Sequence, residues 1–286
     1  IEIDEELFVV DSGLMFPENE MLGIDIVIPD ITYLEENKER VKGIFLTHGH
    51  EDAIGSIAYV LKKIKAPVYG SKLTIALAKE HLKELPAPHQ VKFFEVTNKS
   101  RMNFNRTYVT FFHTTHSIPD SLGVVFHTSE GAIVHTGEFK FDQSAKGKFR
   151  PDLAKMAQLG EEGVFMLLSE STEAERPGYT TSETVIEERL AKTFHAAPGR
   201  ILVAVYASNF IRIQQVFTQA QHSFRKVAVV GKSLEKVVDL GVNLGYLEVD
   251  EDTLISVSDI HKYQDDEIVI LATGNQGEPL DALDKI

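Results

Sequence analysis

His48-Gly49-His50-Glu51-Asp52 places two imidazoles and a carboxylate close together, one residue beyond the mainly apolar run 41–46. In extended backbone, residues i and i+2 project to the same side, so His48 and His50 can reach one ion. Gly49 between them removes a Cβ that a tight turn would crowd. Asp52 is spaced to serve a second ion or to orient the first pair. A catalytic zinc needs three protein ligands and an open position for water. His116, in Thr114-Thr115-His116-Ser117, follows the β-rich run 108–112 and is the candidate third ligand. Glu138, in His135-Thr136-Gly137-Glu138, ends another such run and supplies a carboxylate. The chain has no cysteine, so disulfides, thiol nucleophiles and thiolate metal sites are excluded, and any metal is held by nitrogen and oxygen. The other histidines have a plainer reading. His81, His89, His127, His195, His222 and His261 are surface or core residues, and His113 and His135 are structural neighbours of the candidates.

Each candidate must be delivered by the end of an element. Alternation at residues 1–10 predicts an opening strand, 41–46 a second strand, 54–64 a helix, 66–70 a short strand and 71–84 an amphipathic helix. The β-rich runs 108–112, 123–126 and 132–135 are spaced like a meander. Val164–Leu168 is wholly apolar and predicts a buried strand. Residues 169–178 are polar and turn-rich. Beyond them, Thr180 with Glu183 is a capping-box signature for a helix to about residue 195. Strand 201–206, helix 209–220, strand 226–230, helix 233–244 and strand 267–272 follow. That alternation implies a parallel sheet with right-handed crossovers. A first domain is expected over 1–175 and a second over 176–286.

Ligands of an open parallel sheet bind at the carboxyl ends of its strands. Here those ends are Ala207-Ser208-Asn209, Gly231-Lys232-Ser233 and Thr273-Gly274-Asn275-Gln276-Gly277. The first two also start helices, whose free N–H groups favour phosphate. The competing reading makes Ser208, Asn209 and Ser233 simple helix N-caps. Arg176, Arg212, Arg225, Lys226 and Lys232 are candidate basic groups nearby. Gly231-Lys232-Ser233 is like the end of a P-loop, but Lys226 stands where the leading glycine belongs, so nucleotide hydrolysis is set aside.

At 286 residues, 43% hydrophobic and 25% charged, the chain suits one large or two ordinary globular domains. It has no apolar stretch of the roughly 18 residues a membrane span needs. No leader pattern opens it, which points to the cytoplasm. Ile1 starts inside a strand pattern and Leu280-Asp281-Ala282-Leu283-Asp284-Lys285-Ile286 stops early in a helix, so the sequence reads as a fragment. Its net charge of −14 repels polyanions at long range, which leaves local basic loops as the way to bind nucleic acid.

Thr47-His48-Gly49-His50-Glu51-Asp52-Ala53 resembles the metallo-β-lactamase superfamily signature His-x-His-x-Asp-His. Five further stretches narrow the resemblance: Asp11-Ser12-Gly13-Leu14-Met15-Phe16-Pro17, Thr115-His116-Ser117-Ile118-Pro119-Asp120-Ser121, His135-Thr136-Gly137-Glu138-Phe139-Lys140-Phe141-Asp142, Ser169-Glu170-Ser171-Thr172 and Thr273-Gly274-Asn275-Gln276-Gly277-Glu278-Pro279. Together they resemble ribonuclease J, of the β-CASP group. The resemblance implies an α/β fold, a metallo-β-lactamase αββα sandwich, incomplete here, with an inserted β-CASP domain on a parallel sheet. It implies a 5′-to-3′ exoribonuclease, with endonuclease activity also ascribed to it, in RNA turnover and ribosomal RNA maturation. It places Asp11 and Glu170 next to the ligand set, and Ser208 and Asn209 on RNA phosphate.

Two departures alter that expectation. The signature's last histidine is Ala53, which has no donor atom, and the bridging aspartate is Glu138, one C–C bond longer. His48, His50 and His116 still suffice for one zinc or manganese ion, while a second ion is left with Asp52 and Glu138. At most one ion per chain is expected, and weak hydrolysis by Asp52 and Glu138. The pattern resembles a catalytically degenerate paralogue within the family, found in some Gram-positive bacteria. Its implied partners are RNA, an active ribonuclease J paralogue and further copies of itself, with no membrane. The alternatives are a fully active metal-dependent exoribonuclease and a metallo-β-lactamase-fold hydrolase of a small molecule.

Overall fold

In the computed structural model, which describes residues 1–18 and 20–273, the opening alternation makes two strands rather than one. Asp4 and Glu5 both take positive φ, 46° and 66°, and so turn β1 (Glu2–Ile3) back on β2 (Glu6–Val10) as an antiparallel hairpin. The chain divides into two compact units, Ile1–Gly178 and Tyr179–Ile286.

In the first unit, α1 (Thr32–Glu36) leads to β3 (Val41–Phe45). The helix expected at 54–64 is two pieces, α2 (Glu51–Ile54) and α3 (Ile57–Lys63). The break falls where Ser56 N–H leaves the helical pattern and donates to Ser12 O (2.8 Å). β4 (Val68–Gly70) follows, then α4 (Lys72–Glu84), capped by the Ser71 hydroxyl, and β5 (Phe93–Glu95). The first sheet runs β1-β2-β3-β4-β5, parallel from β2 onward.

β6 (Arg101–Asn103), β7 (Tyr108–His113), β8 (Leu122–Thr128) and β9 (Gly131–His135) form the expected meander. α5 (Leu153–Glu162) then returns the chain to β10 (Val164–Leu168), which joins β9 in parallel. The two sheets face each other across a core of Phe8, Phe45 and Tyr69 from the first and Phe111, Val124 and Phe126 from the second. Phe45 meets Phe126 edge to face at 5.6 Å. Helix α4 packs on β4 and β5, and α5 covers Phe112, Val125 and Val134 through Leu159 and Met156. Helix, sheet, sheet and helix are thus stacked as four layers.

β10 corrects one expectation. It is a strand, but within this 286-residue chain its five side chains are 36–61% exposed. Apolar composition alone does not distinguish a central strand from an edge strand, and β10 pairs only with β9 among the described residues.

The second unit is α6 (Glu183–Ala196), β11 (Ile201–Val205), α7 (Phe210–His222), β12 (Lys226–Val230), α8 (Lys232–Asn243), β13 (Leu254–Ile255) and β14 (Ile268–Thr273). Its sheet, β11-β14-β12-β13, is wholly parallel, as the alternation of elements requires. Thr180 does not cap α6. Ser182 holds that position without a side-chain cap bond, and the Glu183 carboxylate instead accepts from Gln215 Nε2 (3.1 Å). No helix among the described residues is long and apolar enough to cross a membrane.

Candidate metal centre

The site grows from the end of β3. There the backbone must leave the sheet, and the loop 11–14 braces it. Ser12 N–H donates to Ala53 O (2.6 Å) and Leu14 N–H to Glu51 O (2.9 Å). A Cβ on Gly13 would lie 1.7 Å from Asp52 O, so only glycine permits this approach. Gly49 is less tightly constrained: its Cβ would fall 2.5 Å from the Leu77 Cδ1 tip of α4 and 3.0 Å from Ile118 Cδ1, side-chain ends that would have to move aside. The apolar wall thus presses the His48-Gly49-His50 turn inward.

His48, His50 and His116 converge as the spacing implied. Their ring centroids are 4.7–4.9 Å apart and the planes lie edge-on to one another. Glu138 joins them, its Oε2 being 3.0 Å from His116 Nε2. One donor atom from each of these four side chains lies within 4.8 Å of the others, the one such group among the described residues. Asp52 stands just outside it, with Oδ1 3.8 Å from His48 Nε2. The longer carboxylate of Glu138 therefore completes a three-histidine set while also hydrogen-bonding Asp52.

The tautomer of His48 follows from its neighbours. With Asp11 ionised, Thr47 Oγ1 donates to Asp11 Oδ2 (2.9 Å) and so is left to accept from His48 Nδ1 (2.8 Å). Thr47 N–H also donates to Asp11 Oδ1 (2.7 Å). With Nδ1 protonated, the lone pair of His48 is on Nε2, facing the cluster. That atom is buried and has no hydrogen-bond partner. An orphaned buried imidazole nitrogen aimed at two more imidazoles and a carboxylate fits a divalent metal held by nitrogen and oxygen. Burial, reinforced by His50 and His116, holds the His48 imidazole well below its usual pKa, in the neutral form a metal requires. The hydrogen bond from His116 holds the Glu138 carboxyl low, against burial. Burial, then the hydrogen bond and charge of Glu138, pushes Asp52 up. Burial also pushes the Asp11 carboxyl up, to about 7, against the two bonds from Thr47.

Other expected residues fall in different places. Ala53 is buried at 1% exposure and contributes a methyl group. Asp11 acts on His48 through Thr47 alone. Glu170 does not reach the cluster: its carboxylate accepts from Thr172 N (2.7 Å) in its own loop, while its N–H donates to Thr136 Oγ1 (3.2 Å). His135 Nδ1 accepts from Gly137 N (3.1 Å) and turns the chain toward Glu138. Ser117, not singled out by spacing, has Oγ 3.3 Å from His50 Nε2.

In the second unit, Asn209 is the N-cap of α7, its Oδ1 accepting from Arg212 N (3.1 Å), and Ser208 precedes it in the turn. Ser233 is not a cap; Gly231 precedes α8 in that position. Arg225 is removed from the basic candidates. At 6% exposure its guanidinium donates to Ala197 O (2.7 Å) and Gly199 O (2.8 Å), which is a structural tie. Arg212 is held by Gln215 and Glu183, and Lys226 by Asp252. The loop Gly274-Asn275-Gln276-Gly277 and the closing helix pattern lie outside the described residues.

A family model described as metallo-beta-lactamase superfamily matches residues 1–151, and one described as ribonuclease J, beta-CASP domain, matches residues 198–286. The chain is 56% identical over 286 residues to a protein named Ribonuclease J 2 from Staphylococcus saprophyticus subsp. saprophyticus. It is equally 56% identical to one of the same name from Staphylococcus aureus strain MRSA252. Each alignment takes in all of this chain and 51% of the relative, so the chain spans about half the length of the curated relatives it matches. A crystal structure of a protein of unknown function from Enterococcus faecalis V583 shares the fold, with a TM-score of 0.61 at 14% identity over 94% of this chain and 72% of that one.

Proposed function

Because the chain belongs to the metallo-β-lactamase superfamily, in its ribonuclease J branch, we propose that it is part of an RNA-binding ribonuclease J subunit whose own hydrolysis is weak or lost. In this reading the protein serves RNA turnover and ribosomal RNA maturation in the cytoplasm, beside an active paralogue and with further copies of itself. Residues 1–175 form the metallo-β-lactamase portion and 176–286 the β-CASP portion.

The contrast between two halves of one site carries the reading. The three histidines and Glu138 offer four donors to one ion, whereas a second ion would have Asp52 beside Ala53, which has none to offer. One zinc or manganese ion is the expected complement. When bound, the metal supplies Lewis acidity for in-line attack of water on phosphorus. The protein groups divide the rest. Asp11 and Thr47 hold His48 in the ligating tautomer, Ser117 orients His50, and Asp52 is placed to take a proton from the attacking water. Glu138 hydrogen-bonds both His116 and Asp52 and so links the histidine set to that carboxyl. Ser208 and Asn209 meet RNA phosphate at the start of α7.

A second reading, a fully competent metal-dependent exoribonuclease, is favoured by one observation: the Glu138 carboxylate does reach the histidines. Elemental analysis and a nuclease assay on the same dialysed sample of the intact protein separate the two. The degenerate subunit retains at most one equivalent of metal and degrades 5′-monophosphorylated RNA slowly. Two equivalents with rapid turnover would establish the competent enzyme instead.

A further inference from the structure

The loop that follows Glu138 differs in charge from the chain around it. Residues 139–150, Phe-Lys-Phe-Asp-Gln-Ser-Ala-Lys-Gly-Lys-Phe-Arg, carry four cations against one carboxylate, a local +3 in a chain of −14. Asp142 is spent within the loop: its Oδ1 accepts from Ser144 N (2.9 Å) and Ser144 Oγ (2.6 Å), and its Oδ2 lies 3.7 Å from Lys140 Nζ. Lys146, Lys148 and Arg150 project from the exposed rim. Among the described residues, neither Lys146 nor Arg150 has a carboxylate in salt-bridge range. Phe141 is 70% exposed and meets Phe139 edge to face at 5.1 Å.

This loop is fastened to the metal centre. Lys140 N–H donates to Thr115 O (2.9 Å), Thr115 Oγ1 to Phe149 O (2.9 Å), Asp120 N–H to Lys148 O (3.2 Å), and Thr114 Oγ1 to Glu138 O (3.2 Å). Three bonds therefore tie it to the turn that carries His116, and the fourth holds Glu138, the residue immediately before it. Cations and a bare aromatic ring at a fixed distance from a hydrolytic centre form the combination that holds single-stranded nucleic acid, the cations tracking phosphates and the ring stacking a base.

We propose that residues 139–150 form a lip that holds single-stranded RNA against the metal centre, with Lys146, Lys148 and Arg150 on phosphates and Phe141 stacked on a base. This rests on the ribonuclease reading above and extends it to a surface of the first unit, separate from Ser208 and Asn209. It also answers the long-range repulsion expected at −14, because a rim of this kind attracts phosphate over a Debye length of about 8–10 Å.

The test is a titration of labelled single-stranded oligouridylate with the intact protein at stepped salt concentrations, comparing wild type, K146A/R150A and F141A. Each phosphate contact on a single strand contributes about 0.7 to the slope of log affinity against log salt. K146A/R150A should therefore bind more weakly with a slope shallower by about 1.4. F141A should lose roughly 5- to 150-fold in affinity at an unchanged slope. Metal content and melting temperature should match wild type in both, since all three side chains are exposed. Wild-type affinity and slope in K146A/R150A would overturn the lip while leaving RNA binding intact. Failure of the wild type to bind the oligonucleotide would overturn the lip and the ribonuclease reading together.

Discussion

Asp11 never touches the cluster, yet it decides which nitrogen His48 presents. It does so through a single hydroxyl, that of Thr47. Partners of this kind typically change metal affinity about 10–100-fold when removed. D11A should therefore weaken metal binding by about that factor, read by competition with a chelator, while H48A abolishes binding at the site. The complementary experiment is restoration. A53H/E138D returns a donor at 53 and shortens the carboxylate at 138, and it should bind more metal per chain and hydrolyse RNA faster than wild type. Each single change should do less, because both act on one shared site and such effects are not additive. Equal metal content in the double variant and the wild type would place the defect elsewhere. The clustering of His48, His50 and His116 was legible in the sequence, because His-x-His at a strand end has a fixed geometric meaning. Thr47 and Ser117 were not, because nothing in the type or spacing of a hydroxyl residue reveals which imidazole nitrogen it will meet.

At the scale of elements, the site is held by a loop that carries no ligand. Loop 11–14 forms backbone bonds to residues 51, 53 and 56, and Gly13 lies against Asp52 with no room for a methyl group. G13A forces the two segments apart. Overpacking of this kind costs about 1–3 kcal/mol, a fall of several degrees in melting temperature, and it should lower metal affinity in parallel. A drop in stability with unchanged metal binding would show that the loop braces the fold and not the centre. Most elements followed from periodicity, and the departures have separate causes. Thr180 and Glu183 have the spacing of a capping box, but Glu183 is drawn away by Gln215 and Arg212 of another helix. The opening strand folds back because two acidic residues take left-handed φ, which residue type only weakly forecasts. A tertiary partner, invisible in a local window, settled the first case, and the backbone of a two-residue turn settled the second.

For the whole molecule, an orphaned nitrogen in a buried site links metal to folding, since the unfolded chain offers no assembled set of donors. A ligand at 100 times its dissociation constant stabilises the folded state by about 2.7 kcal/mol. Melting temperature should therefore rise by roughly 5–10 °C on adding zinc or manganese to stripped protein. It should fall back with a chelator, and H116A should respond to neither. A melting temperature indifferent to metal would separate the cluster from stability. Charge acts at this same scale. A chain of −14 stays dispersed by self-repulsion, and any polyanion it binds must be met by a local basic surface.

That repulsion has one weak place. β10 carries Val164-Phe165-Met166-Leu167-Leu168 along the margin of its sheet, with side chains bare on both faces and neither a charge nor a proline among them. Such a margin is a template for foreign strands, the beginning of a precipitate. The colloidal behaviour of the 286-residue chain should thus be governed by five residues. Light scattering should show it clustering as concentration and salt rise together, salt removing the repulsion that otherwise keeps the margins apart. L167K, which sets a charge in the middle of the run, should keep it monodisperse under the same conditions.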